Sequence, residues 1–156
     1  MGNPIFKRGV IVLAMTLSMC AIAIGQGTKQ SGAKPATEDL TWVKSSPAYA
    51  EIQLKRTEIL SELEALLLDY QEEYPKVKEL RLTLLLLDRD IARISRVKAG
   101  EASKLTLALG KLMLTRVELE TDLGNLQKKY KEEHPDVKRV RKKIEIYTAA
   151  INDILN

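Results

Sequence analysis

A chain of 156 residues, with 29% charged and 45% apolar side chains, is long enough for one domain. The formal net charge of +4 falls to +2 once Lys7 and Arg8 are set aside, and Lys and Glu alternate too evenly to form a basic stripe, which argues against nucleic acid as a partner. One cysteine, Cys20, and one histidine, His134, leave no material for a disulfide framework and little for metal or nucleophilic chemistry.

The first 25 residues have the order of a secretory signal peptide: Lys7 and Arg8 without an acid, the apolar run "GVIVLAMTLSMCAIAI", then the small residues of "AIAIGQG". The run of about 16 residues is short for a spanning helix, which needs ~20. Two other readings stay open. The segment is an uncleaved anchor, or "LSMC" is a lipidation box that attaches lipid at Cys20, with Met19 where a small residue is usual. A membrane would be met only through such an anchor or lipid. Residues 26–45, rich in Gly, Ser, Thr, Lys and Pro, are expected to be a flexible tether, with Trp42 packing loosely on the first helix.

From Ser46 the apolar spacing turns helical, and the predicted fold is all-α. Ser46 suits an N-cap and Pro47 the first helical position. Tyr49, Ile52, Ile59, Leu63, Leu66 and Tyr70 follow at spacings of three and four, with Arg56 in the same stripe. After Pro75, Val77, Leu80, Leu84, Leu87, Ile91 and Ile94 form a second stripe, and Leu82, Leu85 and Leu86 widen it toward more than one neighbour. Gly100 suits the position just beyond a helix end. Leu105, Leu109, Leu112, Leu119, Leu123, Leu126 and Tyr130 make a third stripe, around Arg116. Val137, Val140, Ile144, Tyr147, Ile151 and Ile154 make a fourth.

The third and fourth stripes match the first and second at a constant offset of sixty residues. "YQEEYPKVKELR" at 70–81 becomes "YKEEHPDVKRVR" at 130–141, and Arg56 maps to Arg116. A shared heptad bias does not explain a matched proline and a matched arginine, so the expectation is an internal duplication. Proline lacks a backbone donor and disfavours helix at the residue before it. Tyr74 and His134 are therefore expected to leave the helix, and Pro75 and Pro135 to begin the next. A connection of a residue or two would fold each copy into an antiparallel hairpin with arms of about 40 Å. Tyr70 and Tyr130 would cover Val77 and Val137 at the tips. The chain thus reads as two tandem helical hairpins, 46–99 and 100–156, either closed as a four-helix up-down bundle or extended. Arg56 and Arg116 either snorkel onto a neighbour such as Glu58 or Glu118, or set the register of the seam as buried charges.

No catalytic constellation, metal-ligand spacing or phosphate-binding loop emerges, so no cofactor is expected and an enzyme is not. His134 is matched by Tyr74, a residue without imidazole chemistry, which favours a packing role at the turn.

The segments "LLLDYQEEYPKVKELRLTLLLLDRDIARI" and "LGNLQKKYKEEHPDVKRVRKKIEIYTAAI" resemble the periplasmic coiled coil of bacterial polysaccharide chain-length determinant proteins, the polysaccharide co-polymerases. That family often carries a Tyr, then His-Pro and a Val, between two heptad helices. Here these are Tyr130, His134, Pro135 and Val137, with Tyr70, Tyr74, Pro75 and Val77 in the first copy, which departs in having tyrosine for histidine. The family also has two membrane helices flanking that domain, where this sequence has one N-terminal apolar run. What the resemblance implies is the hairpin module, an extracytoplasmic location in a bacterial cell envelope and a tendency to self-associate. The expected function is protein–protein contact in the envelope, with copies of itself or with a coiled-coil envelope protein, as an accessory to polysaccharide assembly or export. The alternatives are a periplasmic holdase-type chaperone and, more remotely, a glycan-binding or hydrolase accessory.

Overall fold

The structure is a computed structural model, and it describes residues 40–156. The expected targeting segment, Cys20 and most of the expected tether lie outside the described residues. Five α-helices follow: α1 (Thr41–Lys44), α2 (Pro47–Leu67), α3 (Pro75–Ile94), α4 (Leu107–Gln127) and α5 (Pro135–Leu155), with a 3-10 segment, Ala99–Lys104, between α3 and α4. Consecutive long helices run antiparallel and close into an up-down bundle, so the compact alternative holds over the extended one.

The helix starts are where local chemistry places them. Ser46 accepts from the Tyr49 amide with Pro47 at the first helical position, and sixty residues on Thr106 accepts from the Leu109 amide. Pro75 and Pro135 open α3 and α5. The helix ends depart from expectation. α2 stops at Leu67 and α4 at Gln127, so the connections run over residues 68–74 and 128–134, seven residues each rather than one or two. The arms are correspondingly shorter, about 30 Å for 21 residues. α3 ends at Ile94 with Ser95 in a right-handed conformation, and Gly100 falls inside the 3-10 segment without a left-handed backbone, so it is not the residue that ends the helix.

Within residues 26–45, expected to be tether, Thr41–Lys44 departs from that expectation. It is a turn of helix, Val43 is fully buried, and Trp42 is half-buried against the main core and the segment after α3. That main core lies at the end of the bundle away from the two long turns, and it joins Ile52, Leu86, Leu87, Ile94, Leu109, Met113, Val117 and Ile151. A smaller cluster of Leu63, Val77 and Leu80 holds hairpin 1 together near its turn.

α4 is the organising element. It packs on α5, α2 and α3, while α2 also packs on α3. Its apolar residues are consequently spread around the helix. Gly110 and Val117 are buried on one side, whereas Leu123 and Leu126 line grooves with Ile144 and Val140 of α5. α5 fully buries only Val137 and Ile151.

Two glycines on α4 mark close approaches of different kinds. A Cβ on Gly110 would lie 3.1 Å from Ala48 Cα and 3.2 Å from its carbonyl oxygen, so α2 would have to shift. A Cβ on Gly124 would meet only the end of the Leu82 side chain, at 3.1 Å. Gly124→Ala is expected to stabilise the fold by up to about 1 kcal/mol through helix propensity. Gly110→Ala is expected to destabilise it by about 1 kcal/mol or more through overpacking. Urea midpoints of opposite sign relative to the parent check this.

Candidate functional site

Two arrangements were singled out by the sequence: the proline turns and the seam arginines.

At each turn the helix gives way after Leu67 or Gln127, and Leu126 or Leu66 accepts the amide of the tyrosine four residues on, at 2.8 and 2.9 Å. Tyr70 then stacks on Tyr74, with ring centroids 4.2 Å apart, and Tyr130 stacks on His134 at 4.1 Å. The tyrosines are 45% and 44% exposed, and each stacks on the residue before the proline, a contact the spacing alone did not predict. Val77 and Val137 are fully buried all the same. His134 has a second task that Tyr74 lacks: its Nδ1 accepts from the Asp136 amide at 3.2 Å and caps α5.

An ion pair missed in the sequence spans each turn. Arg81 binds Glu72, and Arg141 binds Glu132. The bond from Arg81 holds the Glu72 carboxyl below its usual range. The signal was present: both copies place an acid nine residues before an arginine across the proline. These pairs stand in solvent, which screens them, so they contribute little to stability.

The two arginines separate. Arg56 is partly exposed and its Nε lies 2.6 Å from Asp88 Oδ1, not on Glu58, which pairs with Lys55. Arg116 is 4% exposed and binds Asp90, which is 0% exposed, across the α3–α4 contact; Glu118 is not its partner. Around them Arg116 Nε lies 3.7 Å from Glu120, Arg89 pairs with Glu120 at 2.9 Å, and Arg93 binds Asn152 of α5. Beside this network Thr83 and Thr121 share a buried hydrogen bond of 3.1 Å.

Burial dominates the electrostatics here. It pushes the Asp90 carboxyl up from its ordinary value, against the pull of Arg116 and Arg89. It also lowers the Arg93 guanidinium, with Arg116 adding to the effect. Asp90 Oδ2 and Arg116 Nε have no hydrogen-bond partner among the described residues, so the pair is bound on one side only. Two carboxylates and three guanidinium groups thus meet at the α3–α4 contact, with Arg93 reaching on to α5. Among the described residues no three His, Cys, Asp or Glu side chains converge as a metal site, and no helix is long and apolar enough to cross a membrane.

The fold and its sites define a class: an up-down bundle of two helical hairpins, locked by a buried ion pair between them. No family model, curated protein or solved structure matches the chain.

Proposed function

We propose that this chain is a non-enzymatic, exported hairpin-bundle protein that acts by protein–protein contact in the bacterial cell envelope, as an accessory to polysaccharide assembly or export. The observation that carries the contact reading is the set of large apolar side chains left in solvent: Leu54 and Ile146 are 60% exposed and Leu85 66% on helix faces, and Leu68 is 86% exposed at the first turn. Several such residues on one small bundle mark surfaces suited to other protein. The envelope setting rests on the N-terminal segment and on the Tyr…Pro-x-Val resemblance. The duplication reading is supported by the sixty-residue spacing of the caps, turns, stacked rings and Glu–Arg pairs.

The test is site-specific photo-cross-linking of the full chain in cells, from positions 54, 85 and 146. The expected result is envelope-localised adducts with copies of the chain or with a helical protein of polysaccharide assembly. The reading fails if no protein adduct forms at any of the three positions. It also fails if the purified chain suppresses aggregation of a denatured client near one-to-one, which is the behaviour of a holdase.

A further inference from the structure

The bundle contains a rule for stacking hairpins. Hairpin 2 sits on hairpin 1 through α4, which packs on α2 and lays a further face along α3. Thr121 meets Thr83, Asn125 meets Glu79, Glu120 meets Arg89, and Gly124 faces Leu82. The positions sixty residues earlier than that α4 face lie on α2, and those sixty residues later than that α3 face lie on α5. Both faces are open: Leu60, Ser61, Glu64 and Ala65 on α2, and Arg139, Lys142, Ile146 and Ala149 on α5 are all exposed.

The two open faces lie on segments of opposite net charge. Residues 47–74, comprising α2 and its turn, hold seven acids and two bases, a net charge of −5. Residues 128–156, comprising the second turn and α5, hold eight bases and five acids, a net charge of +3, with all eight bases before residue 144. Complementary fields of this kind steer encounter and fix register.

We infer that a second copy of this chain docks its α2 on α5 in the place that α4 occupies on α3. This inference rests on the protein-contact reading above and names the partner and the surfaces. The correspondence brings Glu64 to Lys142, Ser61 to Lys143 and Leu60 to Ala149, and it carries Asp69 toward Arg139, as Lys129 shares a groove with Glu79 inside the bundle. The opposed charges are joined by an apolar strip centred on Leu60 and Ile146. Asp122 is carried toward Glu58, a like-charge meeting that keeps the contact weaker than the one within the chain. The two faces differ, so each docked pair leaves one of each kind free, and association runs past the dimer unless the rotation closes a ring.

The experiment is sedimentation of the purified full chain across a concentration series, at about 50 mM and about 500 mM salt. The expected result is an average mass that climbs beyond twice the chain mass at low salt and falls toward the monomer at high salt. Lys142→Glu/Lys143→Glu and Glu64→Lys/Asp69→Lys should each weaken association about tenfold or more when alone. An equimolar mixture should restore it, because each reversed face then finds an opposite. Unchanged helicity by circular dichroism guards against misfolding, and the neutral pair Lys142→Gln and Glu64→Gln should weaken association in the same direction. A parent chain that stays monomeric at low salt overturns the inference and leaves the cross-linking test of the wider reading standing. Association that ignores both reversals overturns these surfaces while supporting protein contact by another face.

Discussion

Arg116→Met is expected to lower stability by about 3–5 kcal/mol, the cost of stranding one charge of a buried pair. Asp90 is 0% exposed, and the cations paired with it are Arg116 and Arg89, the latter largely engaged with Glu120, with Arg93 adding a weaker attraction. Without the guanidinium, Asp90 must either ionise unpaired or take up a proton. Protonation is the cheaper route, so the loss should shrink on acidification. The sign follows from linkage: burial already raises the folded Asp90 pKa, so the folded state holds this proton more tightly than the unfolded chain does. Stability from this group is therefore fully present below its ordinary unfolded value and is lost as pH rises through the folded value. Removing Arg116 lifts the folded value further and extends that loss toward neutral pH. Urea titrations of parent and Arg116→Met at pH 7 and pH 5 measure both parts, and a difference that fails to narrow at pH 5 contradicts the assignment. Asp90→Leu/Arg116→Met should recover most of the loss, because an apolar pair of similar volume has no desolvation cost.

Leu87→Ala should cost about 2–5 kcal/mol, whereas Leu85→Ala, two residues away, should stay within about 0.5 kcal/mol. Leu87 is fully buried in the main core with Ile52, Met113 and Ile151, and removal of its side chain leaves a cavity among several helices. Leu85 is 66% exposed on the outer side of α3. The comparison is informative because the four consecutive leucines 84–87 are indistinguishable by composition. Thermal or urea midpoints decide it, and similar losses at both positions would mean that α3 is rotated relative to the structure described.

The same stretch explains what the sequence could reveal. Helix existence was legible from three-four spacing, and the starts from Ser46, Pro47, Pro75 and Pro135, because caps and proline act within one turn of chain. The ends were not, because residues 68–70 and 128–130 are good helix formers or neutral, and release from the helix there depends on ring stacking and on the Glu–Arg pairs across the turn. The seam of α3 was legible in part. Leu84 and Ile91 are half-buried and pack on the two cores as the spacing predicts, but the adjacent Thr83 and Asp90 are more deeply buried still. A hydrophobicity pattern assigns polar residues outward by rule, and only a partner from another helix, Thr121 for Thr83 and Arg116 for Asp90, reverses it. Arg116 was visible as an anomaly in its stripe. Its partner was not, because Asp90 lies in the other hairpin and nothing local couples the two.

Both long turns stand at one end of the bundle. The other end gathers α1, the 3-10 segment and Asn156, whose carbonyl is 3.3 Å from Lys104 Nζ. Leu40, the first described residue, therefore lies at the base, and the stacked rings stand roughly 30 Å from that joint. If the joint is tied to a lipid surface, the molecule acts as a short post whose reach is set by helix length.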